Sequence, residues 1–156
     1  MSDTRWIDVE HDLAAAARHF ESAVLLFEGG GLRAGGVEGH WAEMALMHLM
    51  QSGHTSAEAA MRRVMTILGE NRPVGEDWHE LLIRRLAQPL PGERPALLSP
   101  DVAADLQETR RFRHIAVHAY ESFDQTRALP AIDAARRLAK SLALLLRPFR
   151  DIVDPD

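Results

Sequence analysis

The 156-residue chain has no cysteine, which excludes a disulfide framework, a thiolate zinc site and a cysteine nucleophile, and is compatible with a reducing compartment. It has a single tyrosine, Tyr120, and a single lysine, Lys140, against 17 arginines. No segment approaches the ~20 apolar residues needed to cross a bilayer. The opening Met1-Ser2-Asp3-Thr4-Arg5-Trp6 lacks a basic start followed by an apolar run, so the expectation is a cytoplasmic protein with no membrane partner. No stretch alternates apolar and polar residues with strand period, and no internal repeat is present.

What the chain does contain is 46% hydrophobic and 26% charged residues, with alanine (23) and leucine (20) dominant, a helix-favouring composition for one globular domain spanning 1–156. The net charge of −5 hides an asymmetry. Residues 1–109 carry 9 basic against 17 acidic side chains, whereas 110–150 carry 9 against 3. A basic back half can steer a polyanion to one face, although solvated helix faces give the same count. Arginine also suits forked phosphate contacts.

Apolar residues Leu13, Ala16, Phe20, Val24 and Phe27 recur at helical spacing from Asp8 to Phe27, and Val9 is the only early candidate for a strand residue. The glycines from Gly29 to Gly36 lack the Gly-Lys-Ser/Thr ending of a phosphate loop and read as a connector. A second helix is expected from Val37 to Gln51, with Trp41, Met44, Ala45, His48 and Leu49 on one side and Gly53 as its stop. Thr55 or Ser56 would cap a third helix through Leu68. A short helix over Glu76 to Ala87 precedes a proline-rich loop, and Ser99-Pro100-Asp101 opens a long helix to Phe123. A last helix would run from Ala128 to Val153. The fold class expected is an all-α antiparallel bundle of about five to six helices.

The chemistry concentrates in Arg110-Arg111-Phe112-Arg113-His114-Ile115-Ala116-Val117-His118-Ala119-Tyr120. At about 100° per residue, Val102, Leu106, Phe112, Ala116, Ala119 and Phe123 form a buried stripe, and Arg113 and Tyr120 fall on its edge. A guanidinium there is costly unless paired, because it cannot be deprotonated. His114 and His118, four apart, share another face and could hold a metal given a third ligand such as Glu121, His40, His48, His54 or His79. More simply, they are exposed or packed histidines, and His79, after Trp78, reads as a satisfied helix-end histidine. Metal-free phosphodiester cleavage needs a histidine to move a proton and an arginine to neutralise phosphoryl charge. His118 and Arg113 supply both, but they diverge by about 140° on an ideal helix, so a bend or a symmetric dimer must bring such groups together.

Arg113, four residues, His118, one residue and then Tyr120 resembles the motif of HepT-like ribonuclease toxins of the HEPN superfamily, and Glu93-Arg94-Pro95 with Phe112-Arg113-His114 resembles one branch of them. The resemblance implies a single HEPN-like helical domain that dimerises around a shared cleft. It implies a toxin of a toxin-antitoxin system, an endoribonuclease that cuts RNA through the ribose 2′-hydroxyl without metal or other cofactor. Arg113 and His118 would be catalytic, with His114, Arg110 and Arg111 supporting or binding RNA. His114 stands where the family commonly has Asn. The resemblance further implies a cognate nucleotidyltransferase antitoxin that attaches AMP to Tyr120. A non-enzymatic HEPN-like module binding nucleotide or a partner through the same cleft is the alternative, and a metal-binding helical protein using His114 and His118 is a third.

Overall fold

The computed structural model describes residues 3–118 and 124–155, and for 114–118 the backbone alone. Among them are six α-helices and no strand: α1 (Thr4–Glu28), α2 (Gly36–Ile67), α3 (Trp78–Leu86), α4 (Pro100–His118), α5 (Gln125–Ser141) and α6 (Leu146–Val153). The fold is an all-α helical bundle, as the composition and periodicity indicate. None of these helices is long and apolar enough to cross a membrane.

α1 starts four residues earlier than its apolar spacing indicates, because the Asp3 carboxylate accepts from the Arg5 amide and caps the first turn. Trp6 and Val9 are fully buried on it, so Val9 belongs to a helix rather than a strand. The Trp6 indole Nε1 donates to Asp154 at 2.7 Å, tying the start of α1 to the end of α6.

The expected stop at Gly53 is absent: α2 runs unbroken for 32 residues, and neither Thr55 nor Ser56 is a cap. Gly53 is there for close packing. A Cβ on it would lie 2.8–3.0 Å from the ring of Phe20 on α1, and that ring is fully buried, so only glycine lets the two helices approach this closely. The pairs Phe20 with Gly53 and Asp12 with Arg63 set α1 and α2 antiparallel. The expected inner face of α2 is also corrected. Trp41, Met44, Ala45 and His48 are exposed, Trp41 at 67%, while Leu46, Met50, His54, Ala57, Met61 and Val64 face the core.

After α2, the short α3 buries Leu82, Ile83 and Leu86, and the Leu86 carbonyl accepts from the amides of Leu97 and Leu98. Buried Arg94 organises this proline-rich loop: its guanidinium pairs with both oxygens of Glu70 and donates to the carbonyls of Gln88 and Pro95. α4 opens as expected, with Ser99 Oγ accepting from the Val102 amide at 3.2 Å. Along its stripe Val102, Leu106 and Phe112 are buried. Ala116, Ala119 and Phe123 lie outside the described side chains.

The single last helix expected over 128–153 is two. α5 gives way to a 3-10 turn at Leu142–Leu144 before α6 begins. Pro148 accounts for the break, since its ring excludes the carbonyl four residues before it from an α-helical bond. Most of the stripe on these helices, including Ile132, Ala135, Leu142, Leu146 and Phe149, is buried within the chain. That face therefore is not a spare apolar surface. Asp105 on α4 pairs with Arg137 on α5 through both carboxylate oxygens.

Candidate functional site

Position 54 on α2 faces 109 on α4, and 58 faces 113, so the two helices rise together over one turn. This register brings a carboxylate under Arg113. Glu58 is 4% exposed, and its Oε1 accepts from Arg113 Nη1 at 3.0 Å. Its Oε2 accepts from His79 Nδ1 at the start of α3. The guanidinium predicted to be costly at the edge of the stripe is thus paired, and the Arg113 side chain as a whole stays 29% exposed. A buried carboxylate persists only with its lone pairs engaged, and two other helices, α3 and α4, supply its partners.

His54, fully buried one turn before Glu58, completes the cluster. The Thr109 hydroxyl donates to the Leu106 carbonyl at 3.0 Å, so it accepts from His54 Nδ1 at 2.8 Å. This puts the ring proton on Nδ1 and leaves Nε2 with no hydrogen-bond partner, 3.5 Å from Glu58 Oε1. Burial first, and then the neighbouring Arg113, His79 and Arg110, push the imidazole down to about 3, so His54 is neutral at physiological pH.

The other sequence candidates divide. Arg110, whose Nε donates to Gln107 Oε1 at 2.7 Å, is near enough for its charge to act on His54. Arg111 pairs with Glu108 on an exposed face, about 200° around α4 from Arg113. His118 ends α4 as a backbone position. Its side chain, that of His114 and the whole of Tyr120 lie outside the described residues, as does the proposed His114/His118 metal pair. Among the described residues no three His, Asp or Glu side chains form a group able to hold a metal.

Glu58 was missed from sequence. Its signal was present: it lies on the stripe of Met50, Gly53, Ala57 and Met61, and an acid on an apolar stripe requires a cation. Reading α2 as two helices hid the stripe.

The model of the family described as "HepT-like protein" matches residues 45–153, well over half of the chain. The chain belongs to the HepT-like family. The match begins within α2 and ends with α6, so it takes in Glu58, His79 and Arg113, while α1 precedes it. No curated protein and no solved structure matched the chain.

Proposed function

We propose that this HepT-like protein is the toxin of a toxin-antitoxin pair, a metal-independent endoribonuclease of the cytoplasm that cuts RNA through the ribose 2′-hydroxyl. The observation that carries the reading is the Arg113 guanidinium, which lies on α4, the helix that also bears His118, and is held by buried Glu58 of α2. An arginine fixed by a buried acid is pre-oriented and still has donors for a phosphate.

In this mechanism Arg113 neutralises charge growing on the non-bridging oxygens as the 2′-oxygen attacks phosphorus. His118 exchanges a proton with the reacting oxygens, which suits an imidazole near neutral pH. His114 and Arg110 support the RNA, and Arg111 contacts it from the outer face. The divergence of Arg113 and His118 around α4 favours a homodimer, in which one protomer's groups complement its partner's. Exposed Val37, Trp41 and Met44, in successive turns of α2, offer apolar surface for association.

Control belongs to the same proposal: a cognate nucleotidyltransferase attaches AMP to Tyr120. Its phosphate would sit seven residues along the chain from Arg113, where the substrate phosphate is wanted. A mass gain on incubation with that enzyme, ATP and magnesium, lost in Tyr120→Phe, is the expected result.

The test of the activity is RNA cleavage in EDTA by the wild type, His118→Ala and Arg113→Ala. Cleavage that survives chelator and falls on the order of 100-fold or more in each variant supports the reading. Cleavage stopped by EDTA and restored by zinc or manganese favours a metal at His114 and His118 instead. RNA binding without cleavage favours the non-enzymatic module.

A further inference from the structure

The described part of the site contains a second imidazole that the helix bearing Arg113 does not supply. His79 comes from α3, and its Nδ1 is bound to one oxygen of Glu58 while Arg113 is bound to the other. Two groups on the two oxygens of one carboxylate are held side by side. The His79 ring is further fixed by stacking on Trp78, with centroids 3.6 Å apart. Its side chain is 32% exposed, about as open as that of Arg113.

A carboxylate only accepts, so the ring proton of neutral His79 sits on Nδ1 and the lone pair on Nε2. Among the described residues no polar partner meets Nε2. The arrangement is that of a general base: a carboxylate behind the imidazole fixes its tautomer and stabilises the imidazolium that forms when the far nitrogen takes a proton. His54 has the same ring and the same carboxylate beside it, but it is sealed in the core and cannot meet a substrate. The charged and titratable groups around His79 are Glu58 and His54 from α2 and Arg113 from α4, which shares the Glu58 carboxylate, with Arg62 over the neighbouring Trp78 ring; Arg110 acts on His54 behind them. Trp78 and Arg62 also line a pocket of about 370 Å³ with Arg72, an indole and two cations of the kind that hold a neighbouring nucleotide.

We propose that His79 is a catalytic residue of this site, the base that takes the proton of the attacking 2′-hydroxyl at Nε2 while Arg113 beside it holds the phosphoryl oxygens. This rests on the ribonuclease reading. The balanced step forms the bond from the 2′-oxygen to phosphorus and breaks that from phosphorus to the 5′-oxygen. The 2′-hydroxyl proton passes to His79, and His118 donates a proton to the departing 5′-oxygen. The products are a 2′,3′-cyclic phosphate and a 5′-hydroxyl.

His79→Asn separates this role from anchoring, because the Asn amide can reproduce the Nδ1 donation to Glu58 but cannot take a proton. Single-turnover cleavage measured across pH for the wild type and His79→Asn is expected to show a loss of about 100-fold or more, with the limb that rises with pH abolished. Retention of the wild-type rate and profile overturns the proposal and leaves His79 as an anchor for Glu58. A second measurement does not depend on the variant folding or on cleavage. Fully 2′-O-methylated RNA, which cannot react, is titrated into the wild-type protein while the His79 Hε1 resonance is followed. A shift on binding is expected; its absence on saturation overturns the proposal even where cleavage is found. A shift in a wild-type protein that cuts no RNA removes the ribonuclease reading, and the base role with it.

Discussion

Replacing Glu58 with glutamine keeps the shape of the side chain and removes the charge that faces Arg113 and His79. Two charge-assisted hydrogen bonds are lost, each worth about 1.5–3 kcal/mol. Both partners are about 30% exposed and can recover part of their hydration, so the low end applies. The uncharged amide oxygen keeps one weaker bond, worth about 1 kcal/mol, and the amide nitrogen is left facing a donor. The net expectation is a loss of about 2 kcal/mol, equivalent to roughly 4–8 °C in Tm for a chain of this size. Urea unfolding with an unchanged m value measures it cleanly. A double-mutant cycle with Arg113→Gln should return a coupling of about 1 kcal/mol or more between the two positions. A stability change under about 0.5 kcal/mol, or additivity within that margin, would refute the account of Glu58 as the anchor of Arg113.

Three further outcomes follow from the packing and charge. Gly53→Ala gains about 1 kcal/mol of helix propensity but drives a methyl into the buried Phe20 ring at a cost of about 1–3 kcal/mol, so it should destabilise by about 1 kcal/mol, and a stabilised variant in urea unfolding contradicts the close-approach reading. His54 is neutral in the folded state down to about pH 3, whereas the unfolded chain protonates it near pH 6.5, so stability falls as the pH drops through that window. Between pH 6.5 and 5 the wild type should lose on the order of 1–2 kcal/mol relative to His54→Asn, and parallel curves for the two proteins contradict this. Arg94→Lys cannot reproduce the fork on Glu70 together with the carbonyl contacts, so a loss of about 2–3 kcal/mol in urea unfolding is expected, and a change under about 0.5 kcal/mol contradicts it.

The helical class and most of the helix ends were legible because periodicity, the Ser99 cap and the proline-rich loop are local signals. The misread elements depend on partners distant in sequence. Gly53 looks like a stop until Phe20 is placed against it, and Trp41 and Met44 look like core until Leu46 and Met50 take the inward face. Arg113 announced itself as a charge needing a partner, and that need was correctly read. Its partner, 55 residues earlier, became visible only when α2 and α4 were set side by side. His79 stands at a helix start with its Nδ1 satisfied, as its place in the sequence suggests, but nothing nearby in sequence shows that the partner is the Glu58 carboxylate.

The central claim is cleavage of RNA through its own 2′-hydroxyl by groups of the protein alone. The most direct measurement is single-turnover cleavage, in EDTA, of an oligoribonucleotide and of the same oligonucleotide with a single 2′-deoxy substitution at the cut. The account predicts that the first is cleaved to a 2′,3′-cyclic phosphate and a 5′-hydroxyl, and that the second is bound but left intact at that position. Cleavage of the substituted strand at the same phosphate, or products ending in a free 3′-hydroxyl, would contradict it.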